Sequence, residues 1–164
     1  VNFFGAMRLV KAVLPILRKQ RSGRILFTSS VAADLSIPYQ SFYSASKSAL
    51  NAMALALANE LRAFAIHVSI LMPGDVATGF TDAREKSIKG AEVYLGAQSA
   101  VEAMERDERA GMTPMHMARC LYRMANTKYP KPIYIGGFVY SIFCLLNRLL
   151  PKRLVNWIVG KLYC

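Results

Sequence analysis

Tyr43 and Lys47 stand four residues apart in the run Tyr-Ser-Ala-Ser-Lys. On a helix, positions i and i+4 share a face, so the ammonium can lie near the phenol. A cation there favours the phenolate and moves a group of reference pKa about 10 towards neutral pH. A tyrosine tuned in this way can give a proton to a carbonyl oxygen or take one from an alcohol. Among 8 tyrosines an isolated pair of this kind carries little weight, so its neighbours decide. Ser30 lies before it, where an apolar run gives way to a loop. Pro73-Gly74 ends the next apolar run and opens Pro-Gly-Asp-Val-Ala-Thr78, and Asn2 sits near the start of the chain.

The elements that must deliver these side chains are legible as periodicities. Phe4, Met7, Val10, Leu14 and Leu17 recur every three to four residues between basic side chains, an amphipathic helix over 2–19 kinked at Pro15 and closed at Gly23. Ile25–Thr28 is a short β-prone run, and 29–38 a loop. A helix from about Phe42 to Ala63 carries the Tyr43–Lys47 pair, and Ile66–Met72 forms a second strand. Residues 75–112 are polar, with one or two helices flanking a mobile loop. Thr113-Pro114 supplies an N-cap and first-turn proline for a helix over Met115–Ala125. Lys131–Ile135 is a third strand, followed by Gly136-Gly137. Helices alternating with apolar strands predict an α/β fold with a parallel sheet covered on both faces.

Phe138–Cys164 reads as two short apolar helices broken at Pro151. The uncharged run Ile133–Leu146 is shorter than the roughly 18–20 residues that span a bilayer. Leu154, Ile158 and Leu162 recur every four residues beside Trp157, with basic residues at both ends. Such a helix either packs over a substrate pocket or lies on a membrane surface, and both can hold together.

At 164 residues the chain can bury a sizeable core, and 54% hydrophobic with 19% charged residues argues against disorder. The net charge of +11 is concentrated where it suits a membrane surface better than nucleic acid: residues 131–164 hold Lys131, Arg148, Lys152, Arg153 and Lys161 and no Asp or Glu. Cys120, Cys144 and Cys164 are scattered and lack metal-ligand spacing, which suits a reducing, cytoplasmic setting.

Taken in order, the helix with Val-Asn, the strand ending in Ser-Ser, Tyr-x-x-x-Lys and Pro-Gly-x-Val-x-Thr resemble the short-chain dehydrogenase/reductase family over about residues 1–80. The resemblance implies a partial Rossmann-like, doubly wound sheet of about three strands with flanking helices (residues 1–137), followed by the apolar, basic helical tail (138–164). It implies NAD or NADP as cofactor and a carbonyl or secondary alcohol as substrate. Tyr43 would be the general acid/base. Lys47 would depress its pKa and bond the nicotinamide ribose, and Ser30 would hold the substrate oxygen. Asn2 would anchor a water linking Lys47 to solvent. Pro73, Gly74, Val76 and Thr78 would line the nicotinamide side. A Gly-rich dinucleotide turn, which the family carries roughly a hundred residues upstream, has no counterpart here. The chain begins at Val1, inside a helical pattern. It is therefore expected to be the C-terminal portion of a longer reductase, inactive by itself and a homo-oligomer when whole.

Other residues read more plainly. Ser29, Ser44 and Ser46 are expected to be structural, Tyr39 a loop or pocket wall, and Asp75 a loop residue with local hydrogen bonds. His67 and His116 have no metal partners in the sequence. Met112, Met115 and Met117 read as core filling, though flexible methionines also suit lipophilic pockets. Arg8, Lys11, Arg18, Lys19 and Arg21 form a solvated face rather than a nucleic-acid site. The tail favours a lipophilic substrate met at a membrane surface. A non-catalytic membrane or interaction module on the same scaffold is the alternative.

Overall fold

Alternation along one strand sets the layers. In the computed structural model, which describes residues 2–84, 93–94 and 96–163, strand β2 (Ile66–Pro73) lies between β1 (Gly23–Thr28) and β3 (Ile133–Gly136), all parallel. Successive side chains of a strand point to opposite faces. Ile66, Val68, Ile70 and Met72 therefore enter one core, with Val10, Leu50 and Ala54 from the helices on that side. Leu71 enters a second core on the other face, with Met117 and Met124. Leu71 and Met72 are both 0% exposed, and burial of each stabilises by about 1.5–3 kcal/mol. Ile25 pairs with Val68, and Ile70 with Ile133. Among the described residues the other edge of β1 carries no strand.

Helix α1 (Phe4–Gln20) runs without interruption through Pro15. Its buried or half-buried stripe is Phe3, Ala6, Val10, Leu14 and Leu17. Phe4 and Met7, expected on that stripe, are exposed instead. The expected glycine stop is also displaced: Arg21 adopts the left-handed conformation that ends the helix, at φ 51°. Gly23 begins β1, where a Cβ would come within 2.8 Å of Leu17 Cδ2. Its role is close helix–strand packing rather than capping.

Helix α2 (Ser41–Glu60) buries Leu50, Asn51 and Ala54 against β2. Tyr43 and Lys47 continue that stripe one and two turns earlier, beyond the core, so the buried end of the helix fixes where its first turns point. Between β1 and α2, Ser30 caps a short 3₁₀ turn, Val31–Ala33, by accepting the Ala32 N–H at 3.1 Å. Helix α3 (Ala97–Arg109) falls in the polar region, and the middle of its expected mobile loop lies outside the described residues. Helix α4 (Pro114–Asn126) starts on Thr113, whose side chain accepts the His116 N–H. It covers the second face of the sheet with Met117 and Met124, while Met115 is exposed rather than core.

The tail forms α5 (Phe138–Leu149) and α6 (Lys152–Tyr163), separated at Pro151. It is tied to the sheet by buried Cys144, which joins the α1–α2 side core, and by Asn147, whose amide donates to the Asp34 carbonyl at 2.9 Å. Cys164 lies outside the described residues.

Candidate active site

The C-terminal ends of β1 and β2 open into a cleft of about 460 Å³. Ser30, Tyr43, Lys47 and Asn2 line it. So do Pro73, Gly74, Val76 and Thr78, from the segment that leaves β2. All eight residues singled out for the site thus border one space, although four separate stretches of chain supply them.

The strand ends and backbone groups hold this arrangement. Lys47 Nζ donates to the Thr28 carbonyl at 3.0 Å and sits 5.7 Å from the centroid of the Tyr43 ring. Ser29, next to the site serine, donates its hydroxyl to the Lys47 carbonyl at 3.3 Å, and Ser46 donates to the Tyr43 carbonyl at 2.7 Å. Both hydroxyls are thus engaged with the backbone of α2. Ser44 is also buried, with a hydroxyl that finds no partner among the described residues. Tyr39 lies in a loop at φ 60°, its ring near Tyr94. After β2, the Asp75 carbonyl accepts the Met112 N–H and the Met112 carbonyl accepts the Ala77 N–H, both at 2.9 Å. Thr78 Oγ1 accepts the Phe80 N–H at 3.2 Å. These bonds keep the Pro73–Thr78 segment against the cleft.

Electrostatics depart from the expected tuning. Burial pushes the Tyr43 phenol above its usual range, and the hydrogen bond with Ser30 works against that rise. More distant Glu108 adds to it and Arg84 opposes it. Lys47 does not supply the expected downward pull: its ammonium reaches back to the Thr28 carbonyl and lies over the ring. Burial lowers the lysine's own pKa. In this geometry burial and the Ser30 hydrogen bond, rather than the lysine, set the pKa of the Tyr43 phenol.

Several residues at the site carried no sequence signal, because their partners lie far along the chain. Tyr140, the third residue of α5, donates its hydroxyl to Asp75 Oδ2 at 2.6 Å, and its ring lies against Gly74. A Cβ on Gly74 would come within 2.2 Å of that ring. Asp75 is therefore held by a distant residue, not by local bonds alone. Burial raises its pKa against the pull of the Tyr140 bond. Glu108 of α3 lines the cleft, accepts the Thr81 hydroxyl at 2.7 Å and pairs with Arg84. Phe80 packs its ring 6.3 Å from that of Tyr43.

A second cavity, of about 530 Å³, adjoins the first. Val31, Ile37, Asp75 and Tyr163 border both. The rest of its wall is mainly apolar and comes largely from the tail, with Phe143, Leu146 and Leu150 from α5 or its end and Val155, Ile158 and Val159 from α6. The cleft thus continues into a lipophilic chamber.

Known proteins resemble this chain in sequence and fold. The family described as short chain dehydrogenase matches residues 1–89. The 3-ketodihydrosphingosine reductase of Bacteroides thetaiotaomicron is 36% identical, over 99% of this chain and 62% of its own length. Retinol dehydrogenase 8 of Bos taurus is 32% identical, over 99% of this chain and 60% of its own length. The chain therefore spans about three-fifths of each. The crystal structure of a short-chain dehydrogenase from Streptomyces avermitilis superposes with a TM-score of 0.73 at 25% identity, over 96% of this chain and 58% of that one. With its parallel α/β sheet and these relatives, the chain belongs to the short chain dehydrogenase family.

Proposed function

We propose that the protein interconverts a carbonyl and a secondary alcohol with NAD or NADP, on a lipophilic substrate. The observation that carries this reading is the meeting of Tyr43, Ser30 and Lys47 in one cleft that runs on into an apolar cavity. Two relatives bear the names of a reductase and a retinol dehydrogenase, which agrees with the reaction type.

The donor set along the cleft fits the nicotinamide riboside end of a dinucleotide. Lys47 and Tyr43 offer an ammonium and a hydroxyl for a ribose diol, Thr78 offers a hydroxyl, and Pro73 and Val76 offer apolar wall. When bound, NAD(P) supplies or accepts the hydride. Tyr43 gives its proton to the carbonyl oxygen, or in the reverse direction takes it from the alcohol. Ser30, already bonded to the phenol, holds the same oxygen and stabilises the charge that develops on it. Lys47 orients the ribose, and Asn2 at the cleft's edge holds a water between the lysine and solvent. Gly74 carries the backbone past the ring site without side-chain bulk. The apolar chamber shields a hydrocarbon portion of the substrate, with α5 and α6 as its cover. On α1 the exposed side chains Phe4, Leu9 and Ile16 support assembly of the protein into a homo-oligomer.

The test is oxidation of NADH and NADPH by the intact protein with ketones and aldehydes of increasing chain length. Turnover with at least one cofactor, improving as the chain lengthens, is expected. No turnover with any carbonyl and either cofactor overturns the reading.

A further inference from the structure

We propose that the outer face of α5–α6 docks on an anionic lipid surface, and that the apolar cavity opens onto that surface. Three observations lead there. First, the helices have two apolar faces. One lines the cavity. The other places Phe138, Ile142, Leu145 and Leu149 at helical spacing on α5, with Leu154 and Trp157 on α6, all exposed. Phe138 is 80%, Leu149 71% and Trp157 61% exposed. An unburied stripe of this width, on a helix pair already anchored to the core by Cys144, has no partner among the described residues.

Second, charge selects the occupant. Residues 131–164 carry five basic and no acidic side chains. Arg153 and Lys161 on α6 are exposed, at either end of the Leu154–Trp157 stretch. Apolar and basic groups on one short helix pair are the composition of a helix that lies in an anionic interface. A neutral protein partner would not need the excess charge. No described helix is long and apolar enough to cross a membrane, and 12 residues each in α5 and α6 reach about 18 Å, well short of a bilayer core. The pair lies on the surface rather than through it.

Third, the cavity mouth is on this side. Phe143, Leu146, Ile158 and Leu162 line the cavity and are also exposed. They form a rim continuous with the outer stripe, so an amphiphile leaving the lipid would meet apolar side chains all the way to Asp75 and the catalytic cleft. This loading route rests on the cavity being the substrate site; the docking itself does not.

Trp157 is the only tryptophan of the chain, and it reports directly on the face. The experiment uses sedimentation and Trp157 fluorescence with vesicles of phosphatidylcholine alone and of phosphatidylcholine with phosphatidylglycerol. Expected are binding to the anionic vesicles, a blue shift of Trp157 emission, and quenching by lipids brominated on their acyl chains. Leu149→Ser should weaken partition on the order of tenfold, and Arg153→Gln or Lys161→Gln each on the order of fivefold, with the charge variants losing their effect at high salt. Three results overturn the docking: equal binding to neutral and anionic vesicles, Trp157 emission unmoved by lipid, or a shift that follows protein concentration without lipid and so marks a second copy. Turnover is read separately on a water-soluble short ketone. Docking without turnover contradicts the proposed reaction alone; turnover without docking contradicts only the lipid surface.

Discussion

The candidate catalytic cleft and the tail cavity adjoin but are built on opposite terms. In the cleft the groups around Tyr43 are fixed through backbone groups: Lys47 to the Thr28 carbonyl, Ser30 to the Ala32 N–H, and the Pro73–Thr78 segment to Met112. The cavity has few such ties; apolar side chains of two short helices form much of its wall. Directional bonds hold atoms within the tolerances that proton transfer demands, whereas an apolar wall adapts to a chain of variable length. Chemistry and selectivity should therefore separate under mutation.

The largest separation is expected from Tyr43→Phe. It removes the proposed proton donor and leaves both cavities intact, so the rate of carbonyl reduction should fall roughly 100- to 10,000-fold. Affinity for the cofactor, measured by quenching of NAD(P)H fluorescence, should weaken far less, about tenfold at most, through the one ribose hydrogen bond lost. A polar residue in the tail should do the reverse. Leu150→Ser should lower kcat/KM on a long-chain ketone about tenfold while a short ketone is processed normally. Equal losses on both substrates would show that the cavity does not belong to the substrate site.

Gly74 joins the two regions, and its replacement should be felt in both. Alanine there collides with the Tyr140 ring and strains the bond to Asp75, at a cost of about 1–3 kcal/mol in denaturant unfolding. Combining Gly74→Ala with Tyr140→Ala should recover part of that loss, since the clash is gone. Strict additivity would place the two residues out of contact.

The same contrast explains what could be read from the chain. Tyr43 and Lys47 are neighbours on one helix, so their spacing alone nominated them, whereas Ser30, Asn2 and Pro73–Thr78 were nominated only through the resemblance to the family. Parallel strands with hydrophobic runs likewise announce a sheet covered on both faces. Contacts between distant segments were not legible. The Tyr140–Asp75 bond spans 65 residues, and the Glu108–Arg84 pair joins α3 to the segment after Thr78. The end of α1 misled because a glycine near a helix end usually caps it, whereas Gly23 is small for the sake of Leu17. Periodicity misassigned Phe4 and Met7 for a related reason: both faces of α1 carry apolar residues, and only packing against β1 shows which one turns inward. The tuning of Tyr43 was expected from the lysine, but burial and the serine dominate it.

That last point gives the most direct test. Reduction needs the protonated phenol, so its rate should fall as pH rises through the Tyr43 pKa. The Ser30 bond lowers that pKa, and Ser30→Ala should move the falling limb to higher pH. In Tyr43→Phe the limb should vanish along with most of the rate. A Tyr43→Phe protein that keeps wild-type reduction and the same high-pH limb would contradict Tyr43 as the proton donor.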